Sequence, residues 1–479
     1  MKIDLETYYK NYYQNGKFFD NWRKGIKLLP FDSRNASAFD KQCGLHGTTG
    51  EFFRLWSNDG VQPIEDFKKS AIDPVVEYLS VQKQMPKEQI DEFTDIMKDI
   101  MLVNGSLNIT DSMFLKYLPL VPDDESISSA DCKKYKDGQK KLANYLYSML
   151  SDELQNIGHH DVPNLFSKIL QEALTPFGGH SMEEKTRDYV ILPYIKESFQ
   201  NDLRWLMKQE ETVKIKYFHL FLYFYVCYSV TQTIVNINAK RTDEILGAVP
   251  FFFVLNSEKV SLNHDAVVRG WSNQIPKTTL DKLFGRSLAL DILNSVLGGN
   301  VGFYFDILSK LEQTPFEENK PLCLDLLNAY QTDKRTALEQ NRSGREKQVL
   351  FTFKKIDISI HSYEDVLNIM ERLCVGLQSP SYVSRMRKKV IDLLSVRFLQ
   401  NRKRSGYVLT LDNEMLIFLI ALFTKSKKTR LEDMYKRFNS YGIYFNRGSR
   451  LAIEEYLLKL NLLDRKSDSG EAQYVTVIL

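Results

Sequence analysis

The sequence predicts a mainly α protein, a multi-helical body closed by a C-terminal winged-helix domain of three helices and a β-hairpin. Three observations carry that prediction. Apolar residues recur three and four apart along most of the chain, as in IDEFTDIMKDIML from Ile90. The last stretch carries three helical patterns and then two short β-prone runs joined across SDSGE. Finally, 43% apolar and 26% charged residues over 479 positions suit a globular chain with core enough for two or three domains.

The composition bounds function more than it defines it. A net charge of +3 implies that any nucleic-acid site is a local patch. Five dispersed cysteines without C-x-x-C spacing fit a reducing, cytoplasmic setting and not a disulfide framework. The opening MKIDLETYYKNYY lacks the charged-then-apolar order of a leader. The most apolar run, Lys216 to Val235, contains His219, Ser229, Thr231 and Gln232, so a buried central helix is expected there and not a membrane span.

Taken in order, residues 1–125 are expected to form a mixed, mostly helical region. Loops and short helices are expected around CGLHGTTG (Cys43–Gly50), and helix from Pro63 to Met101. VPDDESISSADCKK, from Val121, has the composition of a linker. A central helical domain is expected over 133–400, with helices such as KKLANYLYSMLSDEL, YIKESFQNDLRWLM and SLALDILNSVL separated by PFGGH, GAVP and LGGN. PFFFVLN (Pro250–Asn256) suits a buried strand or an extended packing segment, and no repeat period is visible.

The winged-helix domain is expected over 406–479. Its first helix starts near Thr410 or Asp412 and is apolar almost all round from Met415 to Phe423, which implies burial on two sides. Thr429 and Glu432 have the spacing of a capping box for the second helix, with Leu431, Met434, Tyr435 and Phe438 on its inner face and Gly442 at its end. Ser449 is the expected N-cap of the third helix, whose inner face takes Ile453, Tyr456, Leu457 and Leu460. The hairpin LLDRK and AQYVTVIL then forms the wing, with Val475, Val477 and Leu479 alternating with Tyr474, Thr476 and Ile478.

Nucleic-acid contact is expected from a basic run and from this domain. Arg385 to Arg404 holds eight basic residues and one acid, Asp392, and offers Arg385, Arg387, Lys388, Lys389, Arg402, Lys403 and Arg404 to phosphates. Lys427, Lys428, Arg430 and Lys466 could reach the backbone, and Arg447 and Arg450 sit where a third helix approaches bases. Glu454 and Glu455 on the same helix oppose deep groove insertion, so protein contact stays open. KRTALEQNRSGREK, from Lys334, suggests a second, exposed basic loop.

Catalytic motifs are not evident. CGLHGTTG and LGGNVG lack the lysine of a phosphate-binding loop, and GHHD (Gly158–Asp161) lacks a second pair of metal ligands. PIEDFKK (Pro63–Lys69) places two acids side by side in a helical setting, unlike a nuclease centre. The expectation is a protein that is not an enzyme, with no catalytic residues, cofactor or metal.

GYVLTLDNEMLIFLIALF, RLEDMYKRFNSYGIYFNRGSR and KLNLLDRKSDSGEAQYV together resemble the DptG family, a component of bacterial DNA phosphorothioation-dependent restriction systems (Dnd/Dpt). The resemblance is specific over this C-terminal part; elsewhere it consists of length and helical character. It implies a subunit of an antiphage complex that acts on DNA lacking the sulfur mark, with ATPase and HerA/FtsK-like helicase partners supplying motor chemistry. The alternative is a stand-alone DNA-binding transcriptional regulator.

Overall fold

The structure, a computed structural model, describes residues 3–19, 27–31, 45–57, 61, 72–73, 76–77, 80–81, 85–103, 106–107, 111–121, 127–151, 189–239, 247–258, 264–299, 301–340, 344–465 and 473–476. The protein is mainly helical, with a few short strands. Asp4 opens the first helix, α1 (Leu5–Tyr12), by accepting from the Glu6 and Thr7 N–H groups and from the Thr7 hydroxyl at 2.6 Å. The chain forms two compact units: Met1–Asn35, Asp188–Tyr194 and Cys227–Ile478 in one, Ala36–Arg187 and Ile195–Val226 in the other.

The second of these units contains α2 (His46–Ser57), α3 (Lys87–Met101), α4 (Ser129–Tyr147), most of α5 (Pro193–Leu206) and the first half of α6 (Glu211–Ala239). The glycine-rich stretch, where loops and short helices are expected, supplies the start of the short helix α2 from His46. Gly47 needs to be glycine there, because a Cβ would lie 2.0 Å from the Leu120 carbonyl oxygen. Arg54 is 2% exposed; it pairs with Glu51 at 2.8 Å and donates to the Lys116 and Leu118 carbonyls at 2.5 and 2.9 Å. Buried cations persist when such bonds replace water.

The expected linker from Val121 is also shorter than its composition suggests. Ser128 accepts from the Asp131 N–H, so α4 begins at Ser129, inside that stretch. The apolar run lies in α6, which is long and apolar enough to cross a membrane by composition, yet 94% of that window is buried within the protein. Tyr225, fully buried in it, donates to Asp202 at 2.6 Å.

The larger unit adds β1 (Phe251–Phe252), β2 (Val254–Leu255), α7 (Lys277–Val296), α8 (Tyr304–Leu311), α9 (Phe316–Gln340), α10 (Gly344–Thr352), α11 (Tyr363–Gly376) and α12 (Pro380–Ser395). Helix α7 is its centre, buried on nearly every side from Leu283 to Val296. Gly285 lets α11 approach, since a Cβ would meet the Val375 backbone at 2.6 Å. Polar bonds stitch the same centre: Arg286 to Glu371 at 3.0 Å, Tyr304 to Glu371 at 2.9 Å and Tyr12 to Asp291 at 2.8 Å.

The second basic stretch, expected as an exposed loop, is mostly helix. Lys334 to Gln340 are the last turns of α9 and Gly344 onward is α10; only 341–343 lie outside the described residues. Lys334 is buried and Arg335 donates to the Phe353 carbonyl at 2.9 Å. A basic face of a helix can turn inward when its long stems pack and its heads find acceptors.

The chain continues through β3 (Leu399–Asn401), β4 (Tyr407–Leu411), α13 (Asn413–Thr424), β5 (Thr429–Arg430), α14 (Leu431–Ser440), β6 (Ile443–Tyr444), α15 (Arg447–Lys459), β7 (Leu463–Arg465) and β8 (Gln473–Val475). PFFFVLN is extended as expected and splits its pairing: β1 runs parallel to β6, and β2 parallel to β4. These short ladders tie the C-terminal helices to the body of their unit.

Candidate nucleic-acid interface

The C-terminal helices are set by their caps. Asp412 accepts from the Met415 N–H at 2.8 Å and starts α13, within the expected range. Arg397 holds that cap, reaching Asp412 and Glu414 at 2.9 Å each. Met415, Leu416 and Phe418 to Leu422 are all fully buried and Ile417 is half-buried, so the burial extends well beyond one face, as the apolar pattern predicts.

The second helix departs from expectation. Thr429 belongs to β5 and its hydroxyl donates to the Lys427 carbonyl at 2.7 Å, while the Arg430 cap makes no side-chain bond. The capping box with Glu432 is therefore not formed, because strand pairing holds the Thr429 backbone. The inner face is as expected: Leu431, Met434, Tyr435 and Phe438 are buried. Phe423 stacks on Tyr441 at 4.0 Å and meets Phe438 edge-on at 4.9 Å.

Asn446, not Ser449, caps the third helix by accepting from the Ser449 N–H at 2.8 Å. Ser449 is fully buried and its hydroxyl donates to Glu258 at 3.1 Å. Ile453 and Leu457 are fully buried, but Tyr456 is half-buried and Leu460 is 43% exposed. The buried stripe is Ser449, Ile453 and Leu457, one residue per turn, and so is narrower than the expected inner face.

A three-stranded sheet in the order β7–β8–β5 completes this region, with β8 antiparallel to both neighbours. Leu463, Val475 and Thr429 stand in register and are buried; Asp464, Tyr474 and Arg430 stand in the next register row, on the opposite face. Lys428 lies 2.5 Å from the Asp464 carboxylate and 5.8 Å from the Tyr474 ring centre. Residues 466–472 and 477–479, which include Lys466 and the SDSG stretch where a turn is expected, lie outside the described residues.

The expected phosphate-binding residues separate into classes. Lys389 is buried, Arg387 pairs with Asp281, Arg402 donates to the Asn256 carbonyl at 3.0 Å and Lys428 is held by Asp464. Arg450 is half-buried over the Tyr435 ring at 4.5 Å and 3.5 Å from Glu432. Arg385 is exposed with its guanidinium 4.8 Å from the Tyr382 ring. Lys388, Lys403, Lys427, Arg430 and Arg447 are exposed and form no ion pair among the described residues. The side chain of Arg404 lies outside the described residues.

Tyr474 and Asp464 belong to this surface, and a reading of basic residues alone does not reach them. The alternation in AQYVTVIL already puts Tyr474 opposite to Val475, which is the signal the sequence offers. On α15 the exposed side carries Arg447, Leu451 at 53% exposure and Glu455.

Among the described residues no group of three or more His, Cys, Asp or Glu is placed to hold a metal ion. GHHD and PIEDFKK lie outside those residues. No protein-family model matches the chain, and comparison with curated proteins gives no match either.

Proposed function

We propose that this chain is a non-catalytic subunit of a bacterial antiphage DNA-restriction complex acting on DNA that lacks phosphorothioate modification. In this reading its C-terminal region, from Gly406, is a winged helix that contacts the DNA backbone through exposed cations. ATPase and HerA/FtsK-like helicase subunits of the same system are its partners. The system follows from the C-terminal resemblance to the DptG family.

One observation carries the winged-helix reading. Three helices in series are joined by a sheet that takes one strand from between the first and second helices and two from after the third. Arg430 projects from the sheet face shared with Tyr474, and Lys427 and Arg447 are exposed on the flanking segments. Point charges of that kind suit phosphates, and Tyr474 adds an apolar surface for sugar or base. Leu451 and Glu455 on the exposed side of α15 suit a protein neighbour better than a groove, which favours backbone contact by the sheet over base reading by the helix.

The test is duplex binding by the full chain across a salt series, with phosphorothioate-bearing and unmodified DNA. Neutralising Lys427, Arg430 and Arg447 together is expected to flatten the log–log salt dependence by roughly 0.9 for each phosphate that no longer meets a cation. An unchanged slope removes this surface from DNA binding. Purification from the native host under gentle conditions is expected to recover an ATPase or helicase, and a lone chain would overturn the complex.

A further inference from the structure

Between α10 and α11 the chain makes almost no backbone hydrogen bonds among the described residues. Residues 354–360 belong to neither helix nor strand. Their burial alternates: Ile356 and Ile358 are half-buried and Ile360 is buried, while Lys355, Asp357 and Ser359 are exposed. That is the period of two of a β-strand with one face on a core. Of the N–H groups over 354–360, the one bonded among the described residues is that of Ile356, which donates to the Gln331 side chain at 2.9 Å. Gln331 returns the bond to the Ile356 carbonyl at 3.0 Å. A single buried amide thus plays the part of a neighbouring strand on one edge.

Peptide groups alternate direction along a strand. If Ile356 points its N–H and C=O at Gln331, then Lys355, Asp357 and Ser359 point theirs at the other edge, where no described residue pairs with them. An unpaired edge of this kind is a template for strand addition. Phe351, 85% exposed, stands just before it and adds apolar surface that the described residues leave uncovered.

We propose that the segment 354–360 pairs antiparallel with the same segment of a second copy of this chain, in the register centred on Ile356. That register sets Lys355 of each copy opposite Asp357 of the other, in the positions that exchange backbone hydrogen bonds. It therefore creates two opposite-charge pairs on the exposed face and keeps the Ile356 peptide groups on Gln331. The register centred on Asp357 sets like charges opposite each other and is disfavoured. An edge lysine ordinarily discourages pairing, and here the second copy's own aspartate answers it. The inference is independent of the proposed DNA contact.

The experiment is the mass of the full chain in solution, by light scattering at low and moderate salt. Twice the chain mass of 55.8 kDa is expected. Asp357→Lys and Lys355→Asp, both at exposed positions, are each expected to return the mass to one chain with an unchanged far-ultraviolet circular dichroism spectrum. The double exchange Lys355→Asp with Asp357→Lys is expected to restore the dimer. A wild-type chain that stays at single mass up to its solubility limit overturns self-pairing and leaves the edge to a strand from another protein. A dimer indifferent to both single exchanges also overturns it, because its interface then lies elsewhere.

Discussion

Thr429 stands directly opposite Val475 in the three-stranded sheet, and both are buried, at 7% and 0% exposure. This pairing brings the segment before α14 and the end of the chain into one sheet, so the last strand is structural. Val475→Ala removes buried apolar atoms against Thr429, Leu463 and the inner side of α14 and is expected to cost about 1–3 kcal/mol. Urea unfolding measures it. A change within experimental error would mean that β8 does not contribute to the folded core.

The revised helix starts give a paired test. Asn446→Ala removes the oxygen that accepts from Ser449 and is expected to cost about 1 kcal/mol. Glu432→Ala is expected to stay within about 0.5 kcal/mol, because Glu432 is 72% exposed and its contact with Arg450 is a long surface pair at 3.5 Å. A large loss at Glu432 with none at Asn446 would restore the capping arrangement expected from sequence alone.

The same helix starts mark what was legible in the sequence. Helix α14 could be read because Leu431, Met434, Tyr435 and Phe438 repeat at helical spacing, and α13 because its apolar run has no polar side. The two strands β7 and β8 could be read from alternation and turn residues. Strand β5 could not: two residues carry no period, and Thr429 is placed by Val475, far along the chain. The parallel pairings of β1 and β2 have the same cause. Basic residues mislead for another reason. Lys334 and Lys389 look like their exposed neighbours in sequence, and only packing decides which stems turn inward. The exposed cations of the candidate interface could be found by composition, whereas Asp464 beside Lys428 could be found only by pairing register.

Gly442 joins α14 to β6 with φ +72°, and a Cβ there would lie 2.5 Å from the Val249 carbonyl oxygen. Gly442→Ala therefore meets both a left-handed backbone and a backbone clash, at the point where the Phe251 N–H bonds the Gly442 carbonyl at 2.7 Å. The expected loss is about 2–4 kcal/mol, read by thermal or urea unfolding. Gly406→Ala is the comparison: φ +69° and ψ −148° also favour glycine, but no atom lies within 4 Å of the added Cβ, so backbone strain alone, about 1–3 kcal/mol, is expected. Equal losses at the two sites would show that the Val249 clash is relieved by movement.

Alkaline stability gives the fourth test. Burial raises the phenols of Tyr12, Tyr304 and Tyr435 above the ordinary tyrosine value, and the neighbouring carboxylates Asp291, Glu371 and Glu454 respectively push the same way. Above about pH 10 the unfolded chain releases these protons while the folded chain keeps them, so the unfolded state binds fewer protons and stability falls as pH rises. The contribution is fully present below about pH 10, and each such phenol adds a slope of about 1.4 kcal/mol per pH unit above it. Unfolding free energies at a series of pH values from about 9 upward measure the slope. Tyr12→Phe is expected to lower stability below about pH 10, because Asp291 loses its 2.8 Å bond, and to flatten the alkaline slope by one phenol's share, so that the deficit shrinks as pH rises further. Parallel slopes in the wild type and the variant would mean that Tyr12 ionises as easily folded as unfolded, which its complete burial against a carboxylate does not permit.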